Sequence, residues 1–369
     1  NFKHYFADIK ANQIFKQPEL AATLKRIRDN GQDGFYKGET ARIIANFMHQ
    51  HGGIINQTDL ANYTAVSRTP IKANWNGYEV LTSPPPSSGG IAILQWLKMF
   101  ELKKSEMGLV HNSTQYVHLL AEIGKRVFAD RAEYLGDPDF FDVPVTELTH
   151  IDYLKARSKD ISLTAISKTE NIKPGLKESE QTTHFSIIDK MGNAVANTTT
   201  INLSFGSGVV VEGAGFILND EMDDFSAKPG VMNAFGALGG KANEIQPQKR
   251  MLSSMSPTIL LKNNSVKMVT GSPGGTTIIS SVYQSILNAV EFNMGANDIV
   301  NSTRFHHQLW PKNVIRTHAG LSENTQAELI KMGYTLDERR FGDLQVIVNK
   351  DGELQAASQA TGRGESRVF

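Results

Sequence analysis

The chain changes character at Thr182. Residues 164–181, TAISKTENIKPGLKESEQ, are charged and nearly free of large apolar side chains, so they contribute little to a core and are expected to form an exposed linker. Directly after them, HFSIID and AVANTTTIN read as two strands joined at Gly192-Asn193. TILL and VKMVT follow as a second pair joined at Lys262 to Ser265. After GSPGG, the residues Ile279, Val282, Ile286 and Val290 recur at helical spacing, and the end returns to strands in LQVIV and ELQAAS around a turn at Asp351-Gly352. Strands, a helix and then strands predict a layered sandwich for the second half.

Residues 1–160 read as mostly helical. Ile93, Trp96, Leu97 and Phe100 lie at helical spacing after SPPPSSGG, and Tyr116, Leu120, Ile123 and Val127 mark a second face; both stripes are expected to be core. Between turn formers, NGYEV supplies a short strand, and the Pro84–Pro86 run breaks any helix there. A chain of 369 residues, 40% hydrophobic, is long enough for one large core or two smaller ones. Its 38 Lys and Arg balance 38 Asp and Glu, so no charge excess recruits nucleic acid or an anionic membrane, and small or zwitterionic ligands fit better. The absence of Cys excludes disulfides, thiolate metal sites and a cysteine nucleophile. No apolar run is long enough to span a bilayer, and NFKHYFADIK has neither an initiator Met nor a signal-peptide core, so a fragment or processed piece is expected.

Four segments carry candidate chemistry. TTHFS places two hydroxyls and an imidazole where linker meets strand. One reading is an ordinary edge-strand Thr pair. The other is a nucleophile at a new chain start, whose own α-amine, with a pKa of about 7.7–8.0, takes the hydroxyl proton. GSPGGTTI runs from a strand through two glycines into a helix, a geometry that gathers unpaired N–H groups at one point for an oxyanion, although a tight structural turn fits the same string. It lacks the Lys and the spacing of a phosphate-binding Walker loop. NDEMDDFS concentrates Glu221, Asp223 and Asp224 and is open to three readings: a solvated turn, a cation site, or a recognition pair for an ammonium. In RFHHQ, the adjacent His306 and His307 point apart on a strand and leave no clear third metal ligand.

Taken together and in order, TTHFSIIDKMGNAVANTTTIN, GAGFILNDEMDDFSAKPG, KRMLSSMSPTI, TGSPGG and RFHHQ resemble the successive blocks of γ-glutamyltranspeptidases of the bacterial type. NGQDGFYKG, SPPPSSGGI and DRAEYLGDPDF resemble the same family's large subunit, so the resemblance covers nearly the whole chain. It implies the αββα sandwich of the N-terminal-nucleophile hydrolases and a zymogen that cuts itself between Gln181 and Thr182. Residues 1–181 would then belong to the large subunit, and 182–369 would be the small one. Thr182 matches the nucleophile and Thr200 the hydroxyl that supports it. Asn202 matches a contact to the α-amino end of the glutamyl group. Glu221 and Asp224 match the pair that receives the α-ammonium, Ser253 and Ser254 the hydroxyls that bind the α-carboxylate, and Gly274 and Gly275 the oxyanion donors.

The implied reaction takes the γ-glutamyl group of glutathione to water or to an amino-acid or dipeptide acceptor, with no cofactor or metal. The implied compartment is periplasmic or secreted. Two departures stand out. The family's precursor has an N-terminal segment, with an Arg that grips the glutamyl α-carboxylate, ahead of the point where this sequence begins. Phe235, in the glycine-rich VMNAFGALGG, stands where many bacterial members carry a lid Tyr, so a cover there would lack a hydroxyl latch. Rival readings are a glutaryl (cephalosporin) acylase of the same superfamily, against which Asp224 argues, and an inactive fragment.

Overall fold

The computed structural model describes residues 1–172, 182–226, 240–360 and 364–369. It divides into two compact units: Asn1–Arg68 with Leu203–Asp220, and Thr69–Asn202 with Glu221–Phe369. This partition differs from the expected covalent boundary at 181/182. In the first unit the helices Pro18–Asn30 and Gly38–Gln50 flank a small core of Ile44, Phe47, Val211 and Ala214. The Thr23 hydroxyl donates to the Ala214 carbonyl at 2.8 Å and ties the later segment to the helices.

The second unit holds every described candidate site residue. Six antiparallel strands lie in the order Ile71–Trp75, Tyr78–Thr82, Thr258–Lys262, Ser265–Gly271, Gln345–Lys350 and Glu353–Ser358. Val80, Leu260, Met268 and Val348 form one cross-strand row. They share a core with the helices Gly89–Lys103, Thr114–Tyr134 and Thr277–Val290. Within it Trp96 stacks on Tyr283 with ring centroids 4.6 Å apart, while its Nε1 donates to the Leu120 carbonyl. Both predicted helical stripes are buried there. The hairpin of Thr183–Ile188 and Ala194–Thr199 packs on the six-stranded sheet, giving successive layers of helix, sheet and hairpin.

The Thr114–Tyr134 helix shows more than its apolar stripe announces, because Glu122, Lys125, Arg126, Asp130 and Arg131 are buried as well. Buried charge is tolerated only when paired. Glu122 meets Lys125 and Arg126 at 3.0 Å each, Arg126 reaches Asp160 at 2.8 Å, and Arg157 reaches Asp130 at 2.7 Å. The same charges hold the start of the segment expected to be an exposed linker. Ser167 gives its N–H to Glu122, and takes one bond from Lys125 on its carbonyl and one from Arg126 on its hydroxyl. Thr169 and Ile172 are buried, with Ile172 against Ala129 and Leu309. Residues 164–172 are therefore anchored at Ser167, Thr169 and Ile172 while Thr164, Ala165, Lys168, Glu170 and Asn171 stay exposed as expected; the rest of that linker, 173–181, lies outside the described residues.

Burial alone would raise the Glu122 carboxyl, but Lys125, the Ser167 N–H and Arg126 bring it down to about 2. A depressed carboxylate stabilises the native state above the ordinary glutamate range and loses that contribution as pH falls toward the folded value. Glu122→Gln is expected to cost about 3 kcal/mol at neutral pH, by leaving two buried cations under-compensated. The deficit should shrink as pH falls from about 5 toward 2, which urea unfolding across that range measures.

Candidate active site

Thr182 precedes the Thr183–Ile188 strand, whose ladder with Ala194–Thr199 brings Thr183 opposite Thr199. The Thr182 hydroxyl lies 3.4 Å from that of Thr200. A strand running through AVANTTTIN would put Thr200 and Asn202, two residues apart, on one face. They instead follow the strand's end at Thr199, and Asn202 has φ +66°. Asn is among the few side chains that tolerate this left-handed conformation. The turn lets the Asn202 N–H donate to the Thr200 hydroxyl at 2.9 Å, so the oxygen facing Thr182 is held from behind.

The second wall comes from the segment between the Ser265–Gly271 strand and the Thr277–Val290 helix. Gly274 has φ +131° and Gly275 φ +56°, and a Cβ on Gly274 would strike the Thr277 hydroxyl, so Gly is required there. The Gly274 carbonyl is occupied by the Thr277 N–H at 3.1 Å, and the Gly275 carbonyl by the Ile278 N–H at 3.0 Å. Among the described residues no protein acceptor takes the N–H of either glycine. A cavity of about 20 Å³, room for roughly one water, is lined by Thr182, Thr200, Asn202, Asp224, Ser253, Ser254, Met255, Gly275 and Ile278. Gly274 adjoins it. Glu221 opens the Glu221–Asp224 turn and is not in the lining, and Phe235 lies outside the described residues.

The other candidate residues enter from distant parts of the sequence. The acidic turn is pinned by buried Asn243, whose Nδ2 donates to the Asp224 carbonyl at 2.7 Å while its Oδ1 accepts from the Leu252 N–H at 3.0 Å. Ser253 is locked to the proline-rich loop, its N–H on the Pro86 carbonyl and its own carbonyl taking the Ser88 N–H and hydroxyl. Behind both serines sits Arg131, fully buried, with Nε on the Ser88 hydroxyl at 2.8 Å and Nη2 on the Ser254 hydroxyl at 3.1 Å. Burial pulls its guanidinium down to about 10 against the opposing field of Asp224, and it stays protonated at neutral pH. Neither Arg131 nor Asn243 was singled out in the sequence. The only signal for Arg131 is its place in DRAEYLGDPDF.

His184 shares the inward face of its strand with Thr182. Its ring nitrogens meet the Thr198 hydroxyl at 2.8 Å and the Ser186 hydroxyl at 3.0 Å, and burial lowers it to about 4, so the ring is neutral. The ring rests on Gly271, where a Cβ would overlap its atoms. The other two histidines of note turn to different partners, His306 to the Ser280 hydroxyl and His307 to the Val314 carbonyl. Among the described residues no group of His and acidic side chains is arranged to hold a metal, and no helix is long and apolar enough to cross a membrane.

Stacked β-layers backed by helices, with a threonine at the start of an inner strand, define an N-terminal-nucleophile hydrolase fold. The chain shares that fold with cephalosporin acylase from Bacillus halodurans, with TM-score 0.82 and 24% identity over 97% of this chain and 64% of the other. The family model for γ-glutamyltranspeptidase matches residues 1–369, and the chain belongs to the γ-glutamyltranspeptidase family. It is 52% identical to the glutathione hydrolase proenzyme of Pseudomonas aeruginosa, over 100% of this chain and 67% of that protein. With the corresponding proenzyme of Escherichia coli it shares 44% identity over 95% of this chain and 61% of that one. The chain thus spans roughly three fifths to two thirds of these relatives' length.

The seat of His184 on Gly271 yields a double-mutant test. Gly271→Ala is expected to destabilise by about 1–3 kcal/mol, the usual cost of overpacking, and to slow any Thr182 chemistry. In a His184→Ala background the same substitution should cost much less. A thermal-unfolding cycle giving additive effects would deny the contact.

Proposed function

We propose that this chain is the self-processing and catalytic part of a γ-glutamyltranspeptidase and glutathione hydrolase. The observation that carries the reading is the convergence of the Thr182 and Thr200 hydroxyls, Gly275 of the oxyanion-type glycine pair, a carboxylate and two serines on one cavity. In the precursor, the Thr182 hydroxyl attacks the Gln181 carbonyl carbon. The C–N bond breaks as the nitrogen takes a proton, and water then hydrolyses the resulting ester. This leaves a carboxylate on Gln181 and a free α-amine on Thr182, whose ordinary pKa of about 7.7–8.0 suits it as the base for the second reaction.

That second reaction repeats the attack on the γ-carbonyl of glutathione or a related γ-glutamyl amide. The Gly274 and Gly275 N–H groups meet the developing oxyanion, each such donor contributing about 2.7–4 kcal/mol. The amine, cysteinylglycine for glutathione, departs with the proton held by the α-amine. Water or an amino-acid or dipeptide acceptor then takes the acyl group from Thr182. A periplasmic or secreted location belongs to the same reading. The glutaryl-acylase alternative is disfavoured by Asp224 in the cavity wall, because a glutaryl chain has no ammonium to meet it.

Thr182→Ala in the full-length precursor is expected to remain uncut and inactive, as mass spectrometry and γ-glutamyl-p-nitroanilide turnover report; normal processing in that variant would sink the mechanism. Asp224→Asn should lower kcat/KM for γ-glutamyl-p-nitroanilide at least tenfold while changing the glutaryl analogue far less. The ratio of the two specificity constants is decisive, and an unchanged ratio makes Asp224 a structural residue.

A further inference from the structure

We infer that Arg131 is a positioning residue of the substrate carboxylate subsite, fixing Ser254 as a hydrogen-bond donor toward the cavity and placing a buried positive charge behind it. This rests on the γ-glutamyl reading above. A serine hydroxyl has one proton to give and two lone pairs to accept with, so whichever neighbour donates to it decides where its proton can go. A guanidinium only donates. Arg131 Nη2 therefore occupies a lone pair of Ser254, and the Met255 N–H does the same to Ser253 at 3.1 Å. Among the described residues no protein acceptor receives either serine proton, and both side chains line the cavity. Two hydroxyls polarised in this way present donors to an anion.

A second contact of Arg131 holds the backbone of the same subsite. Its Nε donates to the Ser88 hydroxyl, which passes its proton to the Ser253 carbonyl at 2.8 Å. One buried side chain thus sets both the orientation of the Ser254 hydroxyl and the place of the Ser253 main chain. Asp224, in the same cavity lining, carries the opposite charge. An α-amino acid head bears an ammonium and a carboxylate on a single carbon, and a lining that holds both Asp224 and the Arg131-backed serines offers a partner to each. A residue serving only the fold would have no reason to distinguish substrates with and without the carboxylate.

The test uses Arg131→Met and Arg131→Lys in the full-length protein, with three p-nitroanilides: γ-glutamyl, glutaryl, which keeps the carboxylate and lacks the ammonium, and 4-aminobutyryl, which keeps the ammonium and lacks the carboxylate. Arg131→Met is expected to raise KM about tenfold or more for the two carboxylate-bearing substrates. The 4-aminobutyryl kcat/KM should stay within about twofold, and Arg131→Lys should recover part of the loss. In a Ser254→Ala background the selective effect should largely vanish. Equal losses on all three substrates, or an undiminished effect without the Ser254 hydroxyl, overturn the assignment while leaving the γ-glutamyl reading in place. Should Arg131→Met fail to fold, Arg131→Lys with Ser254→Ala completes the same cycle. A parent protein that releases p-nitroaniline from none of the three overturns both readings.

Discussion

The site depends on an imidazole seated on a glycine. His184 rests where Gly271 has no side chain, and that contact joins the strand that follows Thr182 to the strand that leads into Gly274 and Gly275. A nucleophile and an oxyanion hole must hold their separation to within a fraction of an ångström for acyl transfer, and neither strand pairs with the other by backbone hydrogen bonds. Side-chain packing between layers therefore sets the distance. The ring is neutral because it is buried, so the seat does not loosen as pH moves through the range where an ordinary histidine would charge.

The proposed substrate recognition hangs on a different scaffold, the Thr114–Tyr134 helix. Its Lys125 and Arg126 are balanced by Glu122 and Asp160 and grip Ser167, while Arg131 meets the Ser88 and Ser254 hydroxyls and the field of Asp224. Burying a row of charges gives little net stability, since desolvation consumes most of the Coulomb attraction. What the arrangement supplies is geometry: a buried cation behind the proposed carboxylate subsite, and an anchored chain leading toward the proposed cleavage point.

Much of the local structure was legible in the sequence. The hairpin turning at Gly192-Asn193, the pair turning at Lys262 to Ser265, and the helix after GSPGG all follow from short-range periodicity and turn chemistry. One expectation failed through a local contact, and another held only in part because of distant ones. Thr200 and Asn202 extend the β-pattern in composition, yet the Asn202 N–H bonds to the Thr200 hydroxyl and the strand ends. Residues 164–172 look solvated, yet their partners are buried charges more than 40 residues away along the chain. Local pattern carries no information about a distant partner.

By itself the sequence determined most of the element types and named the candidate reacting groups, because strand alternation, helical stripes and motif order are properties of neighbouring residues. It pointed to Thr182, the two glycines, the acidic turn and the serine pair as separate strings. Only the tertiary structure decided that Thr182, Thr200, Asn202, Asp224, Ser253, Ser254 and Gly275 share one cavity wall, that Glu221 stands off it, and that Arg131 lies behind it. Those outcomes depend on how the Ser88 loop, the Thr114–Tyr134 helix and the hairpin pack on the central sheet. Packing is settled by long-range complementarity of shape and charge, which no single window of sequence contains.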